Sequence, residues 1–159
     1  MKPTVYIETT IIGHLTSRLP ADVVVTGQML VTRQWWTKSR QDFETFISDL
    51  VHKEVSRGDP AAASERLEAI HMIPSVPILD GARKLAVELI LRHGLPDKAR
   101  VDALHLAICA TNGIDYLLTW NCRHLANAAR QKTMTEICAA FGYSVPVICT
   151  PQQLMEARP

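Results

Sequence analysis

The sequence predicts an α/β fold whose mainly parallel sheet is covered by helices on both faces. Two observations carry this. Short apolar segments of strand type recur along the chain, and stretches with helical character separate them, as parallel strands require. The 159 residues, 47% hydrophobic and 21% charged, have the composition of a globular protein. They fit one domain spanning 1–159, because single cores serve roughly 100 to 200 residues.

Thr4 to Glu8 reads as a short buried strand that ends at a polar turn, where Thr9 or Thr10 caps a helix starting near Ile11. After Leu19-Pro20, residues Ala21 to Lys38 contain no proline and predict one long helix with Trp35 and Trp36 at its packed end. Phe43 to Ile47 predicts a second strand. Ser48 offers an N-cap to a helix that carries Glu54 and stops at Gly58. Asp59-Pro60 starts another helix, since proline is tolerated in a first turn.

Ile73 to Leu79, interrupted by Pro74 and Pro77, predicts an extended edge segment. Gly81 to Arg92 predicts an amphipathic helix ended by Gly94 and Pro96. Arg100 to Ala110 is apolar around most of its circumference and therefore central, and Asn112-Gly113 turns the chain into a strand at Asp115 to Thr119. A helix from Ala128 to Phe141, a strand at Val145 to Cys149 and a brief helix from Pro151 complete the order.

A net charge of +1 offers no strong global attraction to polyanions, so binding to RNA or DNA would need a local basic surface. The four cysteines form no CxxC pair and read as reduced thiols, three of them buried. The N-terminus lacks the pattern of a secretory signal, and no stretch approaches the ~20 apolar residues of a membrane span. The expected location is cytoplasmic.

Four oxygen-bearing side chains stand out because each adjoins an apolar segment: Glu8, Glu54, Asp102 and Asn121. In open parallel sheets the functional crevice lies beyond the carboxyl ends of the strands, where Glu8 and Asn121 fall. Glu54 shares the inward stripe of Leu50 and Val51, and Asp102 lies early in the most apolar helix. Carboxylates buried together require neutralisation, and Mg²⁺ or Mn²⁺ takes such oxygen ligands, with an amide completing the set. A site of this kind activates water and shields the charge developing on a phosphodiester. Each residue also has an ordinary reading: a cap for Glu8, an ion pair with Lys53 or Arg57 for Glu54, a helix start for Asp102 and a turn for Asn121. His105, three residues after Asp102, reads as a packed or hydrogen-bonded histidine.

Taken jointly, Tyr6-Ile7-Glu8-Thr9-Thr10, the helix of Ser48 to Gly58, Asp102-Ala103-Leu104-His105-Leu106-Ala107 and Leu118-Thr119-Trp120-Asn121 resemble the PIN-domain family, in particular VapC-like toxin ribonucleases. The resemblance spans Val5 to about Cys149. It implies a three-layer α/β/α fold, Mg²⁺- or Mn²⁺-dependent cleavage of RNA, frequent homodimers and inhibition by a small antitoxin. Two departures bear on activity: the family generally has Asp where Glu8 stands, and its further acid after the Asn121 position falls close to His124.

Arg33, Lys38, Arg40, Arg123, Arg130 and Lys132 are the candidate phosphate contacts, with Trp35, Trp36 or Trp120 as stacking surfaces. A PIN-like domain that binds RNA or a protein partner without cutting is the chief alternative. A phosphatase is less well supported, because Glu8-Thr9-Thr10 lacks the paired aspartates of haloacid dehalogenase-like enzymes. No Walker-type or Rossmann glycine pattern is present.

Overall fold

The computed structural model describes residues 1–156; residues 157–159, the end of the span assigned to the domain, lie outside the described residues. Strands β1 (Thr4–Ile7), β2 (Glu44–Ser48), β3 (Ser75–Val76), β4 (Tyr116–Leu118) and β5 (Val147–Cys149) form a sheet in the order β3-β2-β1-β4-β5. Every pairing is parallel, as predicted. Val5, Tyr6 and Ile7 are all fully buried, which matches a central strand covered on both faces.

The helices are α1 (Thr9–Thr16), α2 (Val23–Gln34), α3 (Asp49–Val55), α4 (Pro60–Ile70), α5 (Asp80–Leu91), α6 (Arg100–Thr111), α7 (Ala128–Ala140) and α8 (Pro151–Glu156). The chain passes from β1 out to β3 through α1 to α4, then returns past β1 to β4 and β5 through α5 to α7. Right-handed crossovers therefore put these two sets on opposite faces. The packing agrees: α1 lies against α2, α3 and α4, whereas α5 lies against α6 and α7. The order reverses between β1 and β4, so the topological switch point sits at the carboxyl ends of these two strands.

The long helix expected over 21–38 differs in the structure. Asp22 caps α2 through the Val25 amide, and the helix widens into a π turn at Trp35–Ser39. This turn directs both Trp35 and Ser39 inward, with Trp35 against Phe43, while Trp36 stays half-buried beneath the Arg40 guanidinium at 4.6 Å. Two adjacent indoles cannot share one α-helical face, and the wider turn lets each find its own neighbours.

The first helix also starts earlier than expected. Glu8 itself is the N-cap of α1, and its side chain accepts the Thr10 amide. Ser48 occupies the N-cap position of α3 but makes no side-chain cap bond, because its hydroxyl faces Tyr6. Three cysteines are buried and Cys122 is exposed, all of them free. Burial pushes the Cys138 thiol up to about 11 and that of Cys149 up to about 12, which leaves both as unreactive packing groups.

Candidate metal centre

Local chain geometry brings the first acid to the switch point. The β1 ladder continues past Ile7, with the Glu8 amide donating to Leu118 O at 3.1 Å, and α1 begins immediately afterwards. Glu8 is thus pinned between a strand end and a helix start, only 4% exposed. Its Oε2 accepts from the Thr10 amide at 3.1 Å, the Thr10 hydroxyl at 2.5 Å and the Thr119 hydroxyl at 2.8 Å. Thr119, directly after β4, is fully buried.

Helix α3 carries Glu54 to the same edge, on the side that buries Val51 and Val55. Glu54 Oε2 accepts from the Thr9 hydroxyl at 2.6 Å and lies 2.7 Å from His105 Nε2. His105, fully buried in α6, also stands 4.0 Å from Glu8 Oε1. Among the described residues, donor atoms of Glu8, Glu54 and His105 lie within 4.8 Å of one another.

Behind the ring a hydroxyl relay extends into the core. His105 Nδ1 is 2.8 Å from the Tyr6 hydroxyl, which is 2.7 Å from Ser48 Oγ. Burial holds the Tyr6 phenol well above its ordinary pKa, so it remains a proton donor. For Glu54 burial pushes the pKa up, but the hydrogen bond and charge of His105, the Thr9 hydroxyl and the Arg57 charge outweigh it. The net direction is down, and Glu54 is an anion at neutral pH.

Asp102 occupies the first turn of α6, one turn before His105, but bonds elsewhere. Its Oδ2 is 2.8 Å from His124 Nδ1, and the His124 amide donates to Asn121 Oδ1 at 3.0 Å. The Asn121 amide in turn donates to Thr119 Oγ1 at 2.9 Å. Glu8, Thr119, Asn121, His124 and Asp102 therefore form one continuous hydrogen-bonded path, and Glu54 lies beside it, bonded to His105, whose Nε2 is 4.0 Å from Glu8 Oε1. The ion pair of Glu54 with Lys53 considered from the sequence gives way to these contacts.

His105, Thr119, His124 and the roles of Thr9 and Thr10 as carboxylate donors were not assigned from the sequence. The available signal was Thr9 and Thr10 directly after Glu8 and Thr119 two residues before Asn121, both at strand ends, together with a histidine three residues after Asp102. Other expected contacts have structural work. Arg33 donates to Leu15 O and Ser17 O, closing the end of α1. Trp120 stacks on His14 and donates its indole N–H to Thr32, so its ring is already engaged.

The donor set suits a cation. Two carboxylates meet one imidazole, which supplies at most one positive charge, and buried anions in excess of cations are costly. Among the described residues, no helix is long and apolar enough to cross a membrane.

No family model matches the sequence, and no curated protein matches it. Among solved structures, the chain is similar to one in the crystal structure of VapBC2 from Rickettsia felis bound to a DNA fragment from their promoter. The identity is 13%, the match covers 92% of this chain and 98% of that one, and the TM-score is 0.52. At that identity the likeness shows the fold alone: a PIN-like α/β architecture with a five-stranded parallel sheet.

Proposed function

We propose that the chain, as a single PIN-like domain over 1–159, is a metal-dependent endoribonuclease and the cytoplasmic toxin of a type II toxin–antitoxin pair. One observation carries this reading: Glu8 and Glu54, distant in sequence, are gathered at the switch point of a parallel sheet, with Asp102 and Asn121 on the adjoining hydrogen-bonded path. Glu8 and Glu54 would hold Mg²⁺ or Mn²⁺, with Asp102 and Asn121 completing the oxygen-rich side. Such an ion, when bound, polarises the phosphodiester and lowers the pKa of a water.

The protein's own groups do the positioning. Thr10 and Thr119 fix one oxygen of Glu8, leaving Oε1 turned toward His105. Thr9 and His105 hold Glu54 ionised. Asp102 orients His124, and the Asn121 turn holds the segment that carries exposed Arg123, a phosphate contact for the RNA strand. The structural neighbour is described as a VapBC2 assembly bound to promoter DNA, which supports a small antitoxin as partner, with a homodimer as the expected assembly.

The test is cleavage of diverse RNAs by the purified chain with Mg²⁺ or Mn²⁺. Activity should vanish in chelator and fall at least about 100-fold in Asp102→Asn and Glu54→Gln, the scale of losing one transition-state-stabilising group. A second reading, a PIN-like domain that binds RNA or a protein without cutting, is favoured by one feature: Asp102 is already engaged by His124. Metal-independent RNA binding without cleavage, retained in Asp102→Asn, would establish it instead.

A further inference from the structure

The geometry points to His105 as a nitrogen ligand of the divalent ion, completing a Glu8–Glu54–His105 set that takes Mn²⁺ or Co²⁺ in preference to Mg²⁺. This rests on the metal-dependent reading above and deepens it, since the expected all-oxygen set becomes a mixed one.

His105 is fully buried, and Nε2 faces both acids, 2.7 Å from Glu54 Oε2 and 4.0 Å from Glu8 Oε1. Neighbouring donors at right angles on an octahedral ion with bonds of about 2.1 Å stand about 3 Å apart. The spacing of these three side chains is therefore on the scale of a single coordination sphere. His124 is different, because its Nδ1 is committed to Asp102, outside the cluster.

The far side of the ring supplies an independent argument. A histidine that ligates through one nitrogen donates its other N–H to an acceptor, which fixes the ring and its tautomer. Tyr6 stands at that position, 2.8 Å from Nδ1, backed by Ser48 at 2.7 Å. Because a hydroxyl both donates and accepts, this relay supports either tautomer. In one, Nε2–H donates to Glu54 and Nδ1 accepts from Tyr6. In the other, Nδ1–H donates to Tyr6, Tyr6 donates to Ser48, and the Nε2 lone pair is free. One ring proton moves from Nε2 to Nδ1 and the Tyr6 hydroxyl rotates, so the two tautomers carry the same number of protons. A buried imidazole with a reversible acceptor behind it and two carboxyl groups before it is organised as a ligand. Mg²⁺ is a hard ion that keeps oxygen ligands and its waters, whereas affinity for a site with a nitrogen donor rises along the first-row series from Mn²⁺ to Co²⁺.

The experiment loads the full chain with Mn²⁺ and records pulsed electron paramagnetic resonance, with and without ¹⁵N-labelled histidine. We expect one directly coordinated imidazole nitrogen in the wild type, lost in His105→Gln, and Mn²⁺ bound at least about tenfold more tightly than Mg²⁺. The wild-type spectrum decides even where the variant does not fold. Bound Mn²⁺ with no nitrogen coupling overturns the inference, and RNA cleavage under those conditions leaves the ribonuclease reading standing. Failure to bind any divalent ion overturns both.

Discussion

Glu8 carries one methylene more than an aspartate would, and its surroundings account for the length. Its Oε2 reaches the hydroxyls of Thr10 and Thr119, two residues that approach from different elements. A shorter side chain cannot span both, so Glu8→Asp leaves the buried Thr119 hydroxyl or the half-buried Thr10 hydroxyl without its acceptor. Unfolding in denaturant should show a loss of about 1–3 kcal/mol, the scale of unsatisfied buried polar groups; an unchanged midpoint would mean that the threonines re-pair without cost. Glu54 makes a pH prediction. Its folded pKa lies below the unfolded value, so its contribution to stability is present at neutral pH and is lost as pH falls below about 4.3, the ordinary range for glutamate, and through the lowered folded value. Glu54→Gln should remove this part of the acid limb in a plot of stability against pH. Neither bonding partner was legible in the sequence. Spacing puts Glu54 on an inward stripe, but which side chain from α6 meets it depends on how two helices on opposite faces approach the sheet edge.

At the scale of elements, the alternation of apolar strands and helices located β1, β2, β4 and β5 to within about two residues, since short apolar runs bounded by polar turns leave few alternatives, while the edge strand β3 is shorter than the expected 73–79 segment, which Pro74 and Pro77 interrupt. The misses have local causes. The π turn at Trp35–Ser39 answers a tertiary demand, the seating of Trp35 against Phe43, that helical periodicity cannot express. The end of α5 offers a sharper case. The left-handed residue there is His93, with φ of 58°, although Gly94 follows it. Glycine is needed one position later, because a Cβ at 94 would meet Ile137 Cδ1 at 2.8 Å and Leu89 O at 3.1 Å. His93 consequently bears the strain while its amide bonds Ile90 O at 3.0 Å. Left-handed backbone costs an L-residue roughly 1–2 kcal/mol, partly offset by the unfolded-state entropy of glycine. His93→Gly should therefore raise stability by about 0.5–1 kcal/mol in denaturant melts; a decrease would show that the imidazole contributes more than its backbone costs.

At the scale of the whole molecule, the switch point between β1 and β4 is where the two helical layers exert opposing demands. The α1–α4 layer supplies Glu54, the α5–α7 layer supplies His105 and Asp102, and the central strands supply Glu8 and Thr119. Folding thus gathers carboxylates whose mutual repulsion only a proton, a cationic side chain or a metal can relieve. His105 is the cationic candidate within the ring, and it cannot offset both acids. A divalent ion that binds the folded chain and not the unfolded one stabilises by mass action. At about 100 times its dissociation constant that amounts to about 2.7 kcal/mol. For a chain of this length, each kcal/mol moves the melting temperature by about 2–4 °C, so saturating Mn²⁺ should raise Tm by about 5–10 °C. The same addition to Glu8→Gln should give a much smaller rise, because the charge excess that draws the ion is gone. A wild-type Tm indifferent to both Mn²⁺ and Mg²⁺ would mean that threonine hydroxyls and His105 already satisfy the acids, and the gathered carboxylates would then be a structural knot instead of a metal centre.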